Sequence, residues 1–422
     1  MDDGAGTTRS GNLVAASQSV RESIDDFDLA AGFRATATSC GLKESGALDL
    51  ALVAASGPCG AAGVFTTNRV KAAPVVYDEE VLSRNPDRVR AVIANSGCAN
   101  ACTGARGASD ARRMAALTAA ALGCEPEQVL VLSTGVIGRP LDMQRLERGI
   151  SEVASRAARA SAADAARAIM TTDTRPKVAA LALAIGAAPI RLSGFAKGAG
   201  MIHPKMATML AVITTDARVA PPSLNQALRA ATARSFNRIS VDGDMSTNDT
   251  VLLLASGAAG EELRGGALAA FESALTDLCV SLAKQIARDG EGATRLVEIT
   301  VTGARDQAEA HLVADAVARS PLVKTAIHGG DPNWGRVLAA AGASGAAIDP
   351  GLLTLTFGAP TSEVRVVAAG LPTGCDERQA ARALESDPVH IALDLGLGSA
   401  AAMVWTCDLS AEYVAINAHY TT

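Results

Sequence analysis

The sequence is poor in the features that mark the commoner functional classes. Positive charge is not in excess, with 38 Lys and Arg against 44 Asp and Glu and a net charge of -6. No Lys/Arg-dense segment compensates, which argues against a nucleic-acid partner, because phosphates need a basic surface. Long apolar runs are also missing. The longest nearly uncharged one, Val178 to Ile190, is broken by Gly186 and Pro189 and is too short for a bilayer span of about 20 residues, so no membrane partner is expected. The N-terminal stretch lacks a basic start followed by an apolar region and does not look like a signal peptide; residues 1–26 read as a loose tail. The five histidines show no pair at ligand or triad spacing. Of the eight cysteines, Cys98 and Cys102 form the closest pair, and no second pair at zinc spacing accompanies them. A phosphate-binding P-loop pattern is absent. "DGDMSTND" looks superficially like a calcium loop, but Thr247 stands where that loop needs Gly and Leu253 where it needs a bidentate Glu. The expectation is therefore no metal, no cofactor and a small-molecule substrate. The cysteines lie mostly in apolar segments, which fits a reducing compartment, with the cytoplasm as default.

What is present is ample core material: 422 residues, 49% of them hydrophobic, enough for two or three domains. Short strands and turns are predicted over residues 29–75, a strand running into a polar loop over 89–104, and a helix from Ser109 and Asp110, both good N-cap types. Another strand is predicted at 128–138, Ala-rich helices at 141–170, a strand from Met209, a helix at 222–235 and one at 261–289. "LVEITVTGA" (296–304) has the period-2 alternation of a strand. Strands and helices alternate to the end, so the fold class is α/β or α+β.

Thr208 sits where a Gly-rich loop, "KGAGMIHPKMA", meets the apolar run "MLAVITT", and no His or carboxylate adjacent in sequence is there to activate its hydroxyl. One known solution is the threonine's own α-amino group, freed when the residue becomes a chain N-terminus. Its pKa of about 7.7–8.0 suits a general base at neutral pH. The Ala207-Thr208 bond would have to be cut, and the upstream glycines and small Ala207 would permit the unusual backbone that attack on the preceding carbonyl requires. The alternative is an ordinary threonine at the start of a strand.

"KGAGMIHPKMATML" resembles the self-cleavage segment of the ornithine acetyltransferase family, also called the bifunctional glutamate N-acetyltransferase family of arginine biosynthesis. Seven further stretches resemble family signatures in family order: "NSGCANACTG" (95–104), "STGVIG" (133–138), "MTTDTRPK" (170–177), "SVDGDMSTNDT" (240–250), "DGEGATR" (289–295), "LVKTAIHGGDPNWGR" (322–336) and "CDLSAEYVAINAHYTT" (407–422). The resemblance implies a layered α-β-β-α core of the self-cleaving N-terminal-threonine type over 27–290 and a smaller α/β domain over 291–422. It also implies a precursor that splits between Ala207 and Thr208 into an α chain (1–207) and a β chain (208–422), assembled as α2β2. The implied reaction moves acetyl from N2-acetylornithine to glutamate through acetyl-threonine, with acetyl-CoA as a further possible donor.

Carried over by resemblance, Thr208 is the nucleophile, Thr134 and Gly135 form the oxyanion hole, and Thr171, Lys197, Thr208, Glu291, Asn417 and Thr422 bind substrate. These roles make physical sense: a tetrahedral oxyanion needs preorganised donors, and an amino-acid substrate needs one fixed cation and one fixed carboxylate, which Lys197 and Glu291 supply from Gly-flanked loops. Asp242, Asp244, Asn248 and Asp249 read as structural support beside the site, and "DPNWGR" as a turn anchored by packing of Trp334. Lys205, Cys98 and Thr406 depart from the usual family pattern. Two other readings stand beside the transferase: an N-terminal-threonine amidase or deacetylase, in which water takes the acyl group, and an uncleaved scaffold.

Overall fold

In the computed structural model, the residues described are 19–156, 161–185, 188–203, 209–359 and 361–419. The first part of the chain contains β1 (Phe33–Thr38), β2 (Leu50–Phe65), α1 (Ala73–Arg84), β3 (Val89–Cys98), α2 (Gly104–Leu122), β4 (Val129–Val136), α3 (Met143–Ser155) and α4 (Ala162–Ala168). It continues with β5 (Lys177–Ile185), β6 (Ala188–Lys197), β7 (Leu210–Thr215), α5 (Pro221–Arg234), β8 (Ile239–Ser240), β9 (Thr250–Ala255) and α6 (Gly265–Arg288).

Strand β2 is long enough to serve two layers. Leu50–Ala55 pairs with β1, Leu50–Ala54 and Cys59 pair with β3, and Gly60–Phe65 pairs with β9. The strand order β4-β3-β2-β9-β7-β6-β5 thus turns a corner within one strand. Period-2 side-chain alternation then settles the layering. Leu210 and Val212 of β7, with Leu252 and Leu254 of β9, pack with Leu52, Val92 and Leu130 of the opposite layer. Their neighbours Ala211, Ile213, Val251 and Leu253 pack instead on Leu228 of α5 and on Phe271, Leu275 and Leu282 of α6. Helices α1 to α4 cover the outer face of β1–β4, which gives the layered α-β-β-α order implied by the resemblance. Phe195 crosses the middle of the stack, fully buried, with its ring edge-on to Phe27 at 6.5 Å between centroids.

The last part runs β10 (Leu296–Ala304), α7 (Gln307–Arg319), α8 (Pro321–Gly329), α9 (Trp334–Gly342), β11 (Thr354–Phe357), β12 (Val364–Ala368), β13 (Leu371–Pro372), α10 (Glu377–Ala383), β14 (Val389–Asp394), β15 (Ala400–Cys407) and α11 (Ala411–His419). Its sheet, in order β13-β12-β11-β14-β10-β15-β8, takes its last strand from the first part of the chain. Residues from Val297 to Val404 form a hydrophobic cluster of their own.

Several expectations need correction. α1 has no counterpart among the predicted elements; Pro74 at its start sets the backbone of the first turn. α2 begins at Gly104, five residues before Ser109, and Asp110 lies inside it, buried, rather than at its cap. Residues 19–26 are not loose: Arg21 bridges Ala180 at the β5 edge through both backbone groups, and Glu22 accepts the Ser281 hydroxyl at 2.6 Å. α6 is long and apolar enough to cross a membrane by length and composition, yet Phe271, Leu275, Leu278, Leu282 and Ile286 are wholly buried against the sheet. Trp334 is 37% exposed and is not among the residues packed against the hydrophobic cluster of this part of the chain; Asn333 caps α9 by accepting the Arg336 N–H.

Because Phe195 fills the space between the two sheet layers, Phe195→Ala is expected to cost about 3–5 kcal/mol. Denaturant melts of the two proteins would check it, and an unchanged midpoint would mean that the layers close without it.

Candidate active site

Six of the expected residues face one concavity. β3 and β4 run parallel, and at their ends Ser96 lies beside Thr134 and Gly97 beside Gly135. Gly135 has φ +128°, and a Cβ there would stand 2.4 Å from the Gly97 carbonyl carbon. Only glycine permits that close approach of the two backbones. Lys197 is the last residue of β6 rather than part of a loop, and it is buried. Its Nζ donates to the Thr134 hydroxyl at 3.4 Å. Burial pushes the Lys197 ammonium down from its ordinary value, with the Asp173 carboxylate pulling the other way.

Thr134, Gly135, Thr171, Lys197, Glu291 and Asn417 all line a cavity of about 290 Å³. Glu291 reaches it from the loop after α6, where its N–H donates to Ala199 O at 2.8 Å. A Cβ on Gly200 would come within 2.4 Å of the Glu291 carboxyl, so this glycine makes the room that the side chain occupies. Asn417, on α11, donates to Glu291 Oε2 at 2.7 Å. Thr208, Ala207, Lys205 and Thr422 lie outside the described residues. A larger cleft of about 800 Å³ lies between the Arg21–Leu29 segment and the β5–β6 edge, and among the described residues none of the expected groups lines it.

Beneath the cavity is a buried ionic cluster. Asp173 Oδ1 accepts Gly198 N–H at 2.7 Å and Lys177 Nζ at 2.6 Å, and Oδ2 accepts Thr171 N–H at 2.9 Å. Lys177 also reaches Asp289 Oδ2 at 2.5 Å. Burial alone would raise the Asp173 carboxyl, but the Lys177 and Lys197 ammonium groups beside it hold it well below the usual carboxylate range. Asp173 and Lys177 lie within the quoted "MTTDTRPK", yet nothing in their spacing announced their role.

The "SVDGDMSTNDT" segment braces the other wall. Asp242 accepts the N–H groups of Met201, Ile202 and Asp244. Asn248 donates to Ala99 O at 2.7 Å and Ser133 O at 2.8 Å. Asp242, Asp244 and Asn248 also line the cavity, together with Tyr413, Met201 and Met245, which the sequence did not single out. Burial raises the Asp242 carboxyl to about 6. Histidine contacts formed by the fold were invisible in the sequence. His328 Nδ1 lies 2.7 Å from Asp408, and His203 Nδ1 faces both Ser240 Oγ at 3.5 Å and Asp315 at 3.9 Å. Ser240 and Asp315 share one ring nitrogen of His203, so they form no acid-His-nucleophile relay.

The chain is similar to known proteins over most of its length. The ArgJ family profile matches residues 34–422. The arginine biosynthesis bifunctional protein ArgJ of Symbiobacterium thermophilum is 51% identical over 93% of this chain and 97% of its own length. That of Dehalococcoides mccartyi is 48% identical over 93% and 96%. A solved structure of ornithine acetyltransferase complexed with ornithine, from Mycobacterium tuberculosis, is 41% identical over 44% of this chain and 98% of its own, with a TM-score of 0.39.

Two outcomes follow from the buried charges. Lys177→Met would take the shared buried cation from between Asp173 and Asp289, leaving only the Lys197 ammonium beside Asp173 and Arg175 at 3.8 Å from Asp289, and is expected to cost about 3–5 kcal/mol in urea unfolding; a loss under about 1 kcal/mol would mean that the cluster is not what holds the loops. For Asp242, the folded carboxyl titrates at about 6 against an ordinary 3.8. The folded state therefore binds the proton more tightly, and its stability relative to a non-titrating Asp242→Asn variant falls as pH rises through that window, by about 3 kcal/mol in total. Parallel stability curves for the two proteins between pH 4 and 7 would contradict the assignment.

Proposed function

The chain belongs to the ArgJ family, and we propose that it is a self-processing glutamate N-acetyltransferase that moves acetyl from N2-acetylornithine to glutamate through an acetyl-threonine intermediate. The reading rests on one observation: six residues separated by up to 283 positions in sequence, from Thr134 to Asn417, line a single cavity. Scission of the Ala207-Thr208 bond gives Thr208 a free α-amine. In the reaction the Thr208 hydroxyl attacks the acetyl carbonyl while that amine takes its proton. The developing oxyanion is held by Thr134 and Gly135, which stay fixed because β3 and β4 fix them. Collapse expels ornithine, which leaves with the proton, and the α-amine of glutamate then attacks acetyl-Thr208 to give N-acetylglutamate and the free hydroxyl.

The cavity walls suit this substrate class. Lys197 offers a buried cation and Glu291 a buried carboxylate, the two signs that an amino acid with a second amine presents in reverse. Thr171 and Asn417 add neutral hydrogen-bonding groups, and Thr422 completes the proposed set. Both successive acceptors, the enzyme hydroxyl and glutamate, use the same pocket, so water must be kept from acetyl-Thr208 for transfer to prevail over hydrolysis. All eight cysteines are unpaired, which suits a cytoplasmic location, and the mature enzyme is proposed to be an α2β2 assembly of the two chains.

Intact-mass spectrometry of the wild type and of Thr208→Ala, with and without N2-acetylornithine, tests the reading. The expected result is two wild-type fragments summing to the precursor plus one water, with acetyl on the C-terminal fragment alone. Thr208→Ala should remain one unacetylated chain. A single uncut wild-type mass would remove the base from Thr208 and leave the transferase reading without a mechanism; release of acetate without acetylglutamate in the presence of glutamate would favour the hydrolase.

A further inference from the structure

Among the described residues, the side chains of Ala99, Ile137, Met201 and Met245 form the apolar lining of the cavity, and the acetyl-transfer steps above give them no task. Ala99 and Ile137 stand beside the Thr134–Gly135 end of β4. Ala99 N–H donates to Val136 O at 3.0 Å and Gly138 N–H donates to Ala101 O at 2.9 Å, so the backbone on both sides of Ile137 is tied to the loop after β3. Asn248 holds the same corner through Ala99 O and Ser133 O. Ile137 itself is half-buried and packs on a small cluster of buried residues, Ala72, Val75, Ala99 and Ala101. The two methionines belong to the other wall: Met201 N–H donates to Asp242, and Met245 O accepts from Asn68 Nδ2 at 3.2 Å.

We propose that Ala99 and Ile137 form the pocket for the acyl group and that the Ile137 side chain sets its depth, restricting the donor to the shortest N-acyl ornithines. The proposal rests on the transferase reading above, with Thr134 and Gly135 as its oxyanion donors, and specifies which acyl groups that reading admits. An acetyl oxygen held by those donors lies about 3 Å from them, and bond lengths and angles put the methyl carbon about 2.4 Å from that oxygen. The methyl therefore falls within about 5 Å of the donors. Ala99 and Ile137 are the apolar side chains fixed to that end of β4, one through the bond to Val136 and the other two residues beyond Gly135. A wall held at both ends does not yield to an added methylene without strain. Truncating Ile137 to alanine removes three carbons, room for the two extra methylenes of a butyryl group. The bonds made and broken are those of acetyl transfer: the acyl carbon passes from the ornithine nitrogen to the Thr208 hydroxyl and then to the glutamate nitrogen, and only the alkyl group differs.

The test measures kcat/KM for N2-acetyl-, N2-propionyl- and N2-butyrylornithine with glutamate as acceptor, following the N-acylglutamate formed by mass spectrometry. The proteins are the wild type, Ile137→Ala, Ile137→Val and Met245→Ala. The readout is the butyryl-to-acetyl ratio, which does not depend on how much of a preparation is active. The wild-type ratio is expected to be low, and Ile137→Ala to raise it by roughly tenfold or more, since one methylene in a fitted apolar pocket is worth about 10–200-fold. Ile137→Val is expected to raise the propionyl-to-acetyl ratio by a smaller factor, and Met245→Ala to leave both ratios where the wild type has them. A purely structural role for Ile137 would lower all three substrates alike and leave the ratios unmoved. Unchanged ratios in Ile137→Ala, wild-type transfer of butyryl as efficient as that of acetyl, or a larger change in Met245→Ala than in Ile137→Ala each overturn the proposal. If Ile137→Ala does not fold, the propionyl-to-acetyl ratio of Ile137→Val decides, and no rise overturns it. A wild type that moves no acetyl from N2-acetylornithine to glutamate is a different failure, of the transferase reading itself, and this proposal falls with it.

Discussion

The site depends first on the salt bridge between Lys177 and Asp173. Two full charges without solvent contact persist only where each is paired and its remaining hydrogen-bonding capacity is used. Here the second carboxylate, Asp289, takes up the rest of Lys177, and Gly198 and Thr171 take up the rest of Asp173. The consequence is geometric. One buried cation at the start of β5 fixes the loop carrying Thr171, the turn leaving β6 after Lys197 and the end of α6, from which the chain passes to Glu291. Three of the groups facing the cavity thus take their positions from one cluster that never touches it.

The same economy of position recurs in the walls. Oxyanion-type chemistry gains from donors that do not have to reorganise, and Thr134 and Gly135 sit in a parallel strand pair rather than in a free loop. Asn248 ties the β9 approach to the β3 and β4 ends through Ala99 O and Ser133 O, while Asp242 gathers the backbone that leads toward the proposed cleavage site. α11 is the exception. None of its side chains is buried, and it is held over the cavity by Asn417 on Glu291 and, at its root, by Ser410 donating to Gly292 O at 2.7 Å. The rim of the cavity is thus held by fewer buried contacts than its floor.

The local elements were read from the sequence with uneven success, and the reasons are physical. β10 was legible over its full length because Val297, Ile299 and Val301 face the hydrophobic cluster of the last part of the chain while Glu298, Thr300 and Thr302 alternate with them, so the period-2 pattern is written into the residue types. α6 was legible because its apolar stripe is long. α1 was passed over as its polar and apolar residues mix without a clear stripe, and the true start of α2 was masked by Ser109 and Asp110, good capping residues that the helix simply runs through. Trp334 was taken for a packing anchor because tryptophan usually is one; here the cap is made by Asn333, and the ring is left partly in solvent. Thr406, one of the departures from the family pattern, became intelligible only in place: it is buried, accepts from Lys324 Nζ at 3.0 Å and donates to Ala318 O.

The sequence by itself determined the chemical inventory: a hydroxyl at the head of an apolar strand, the glycines that allow close backbone approach, and one cation and one carboxylate in segments whose order matches a family. Those are properties of residue type and local order, which a chain carries whether or not it is folded. Only the tertiary structure decided which of these groups share a cavity, which acids are held ionised and which neutral. Thr134 and Asn417 are far apart in sequence, so their meeting depends on the strand order. Likewise Asp173, Asp242 and Asp249 are the same residue type, and their opposite protonation tendencies come from what burial removes and which charges it leaves nearby.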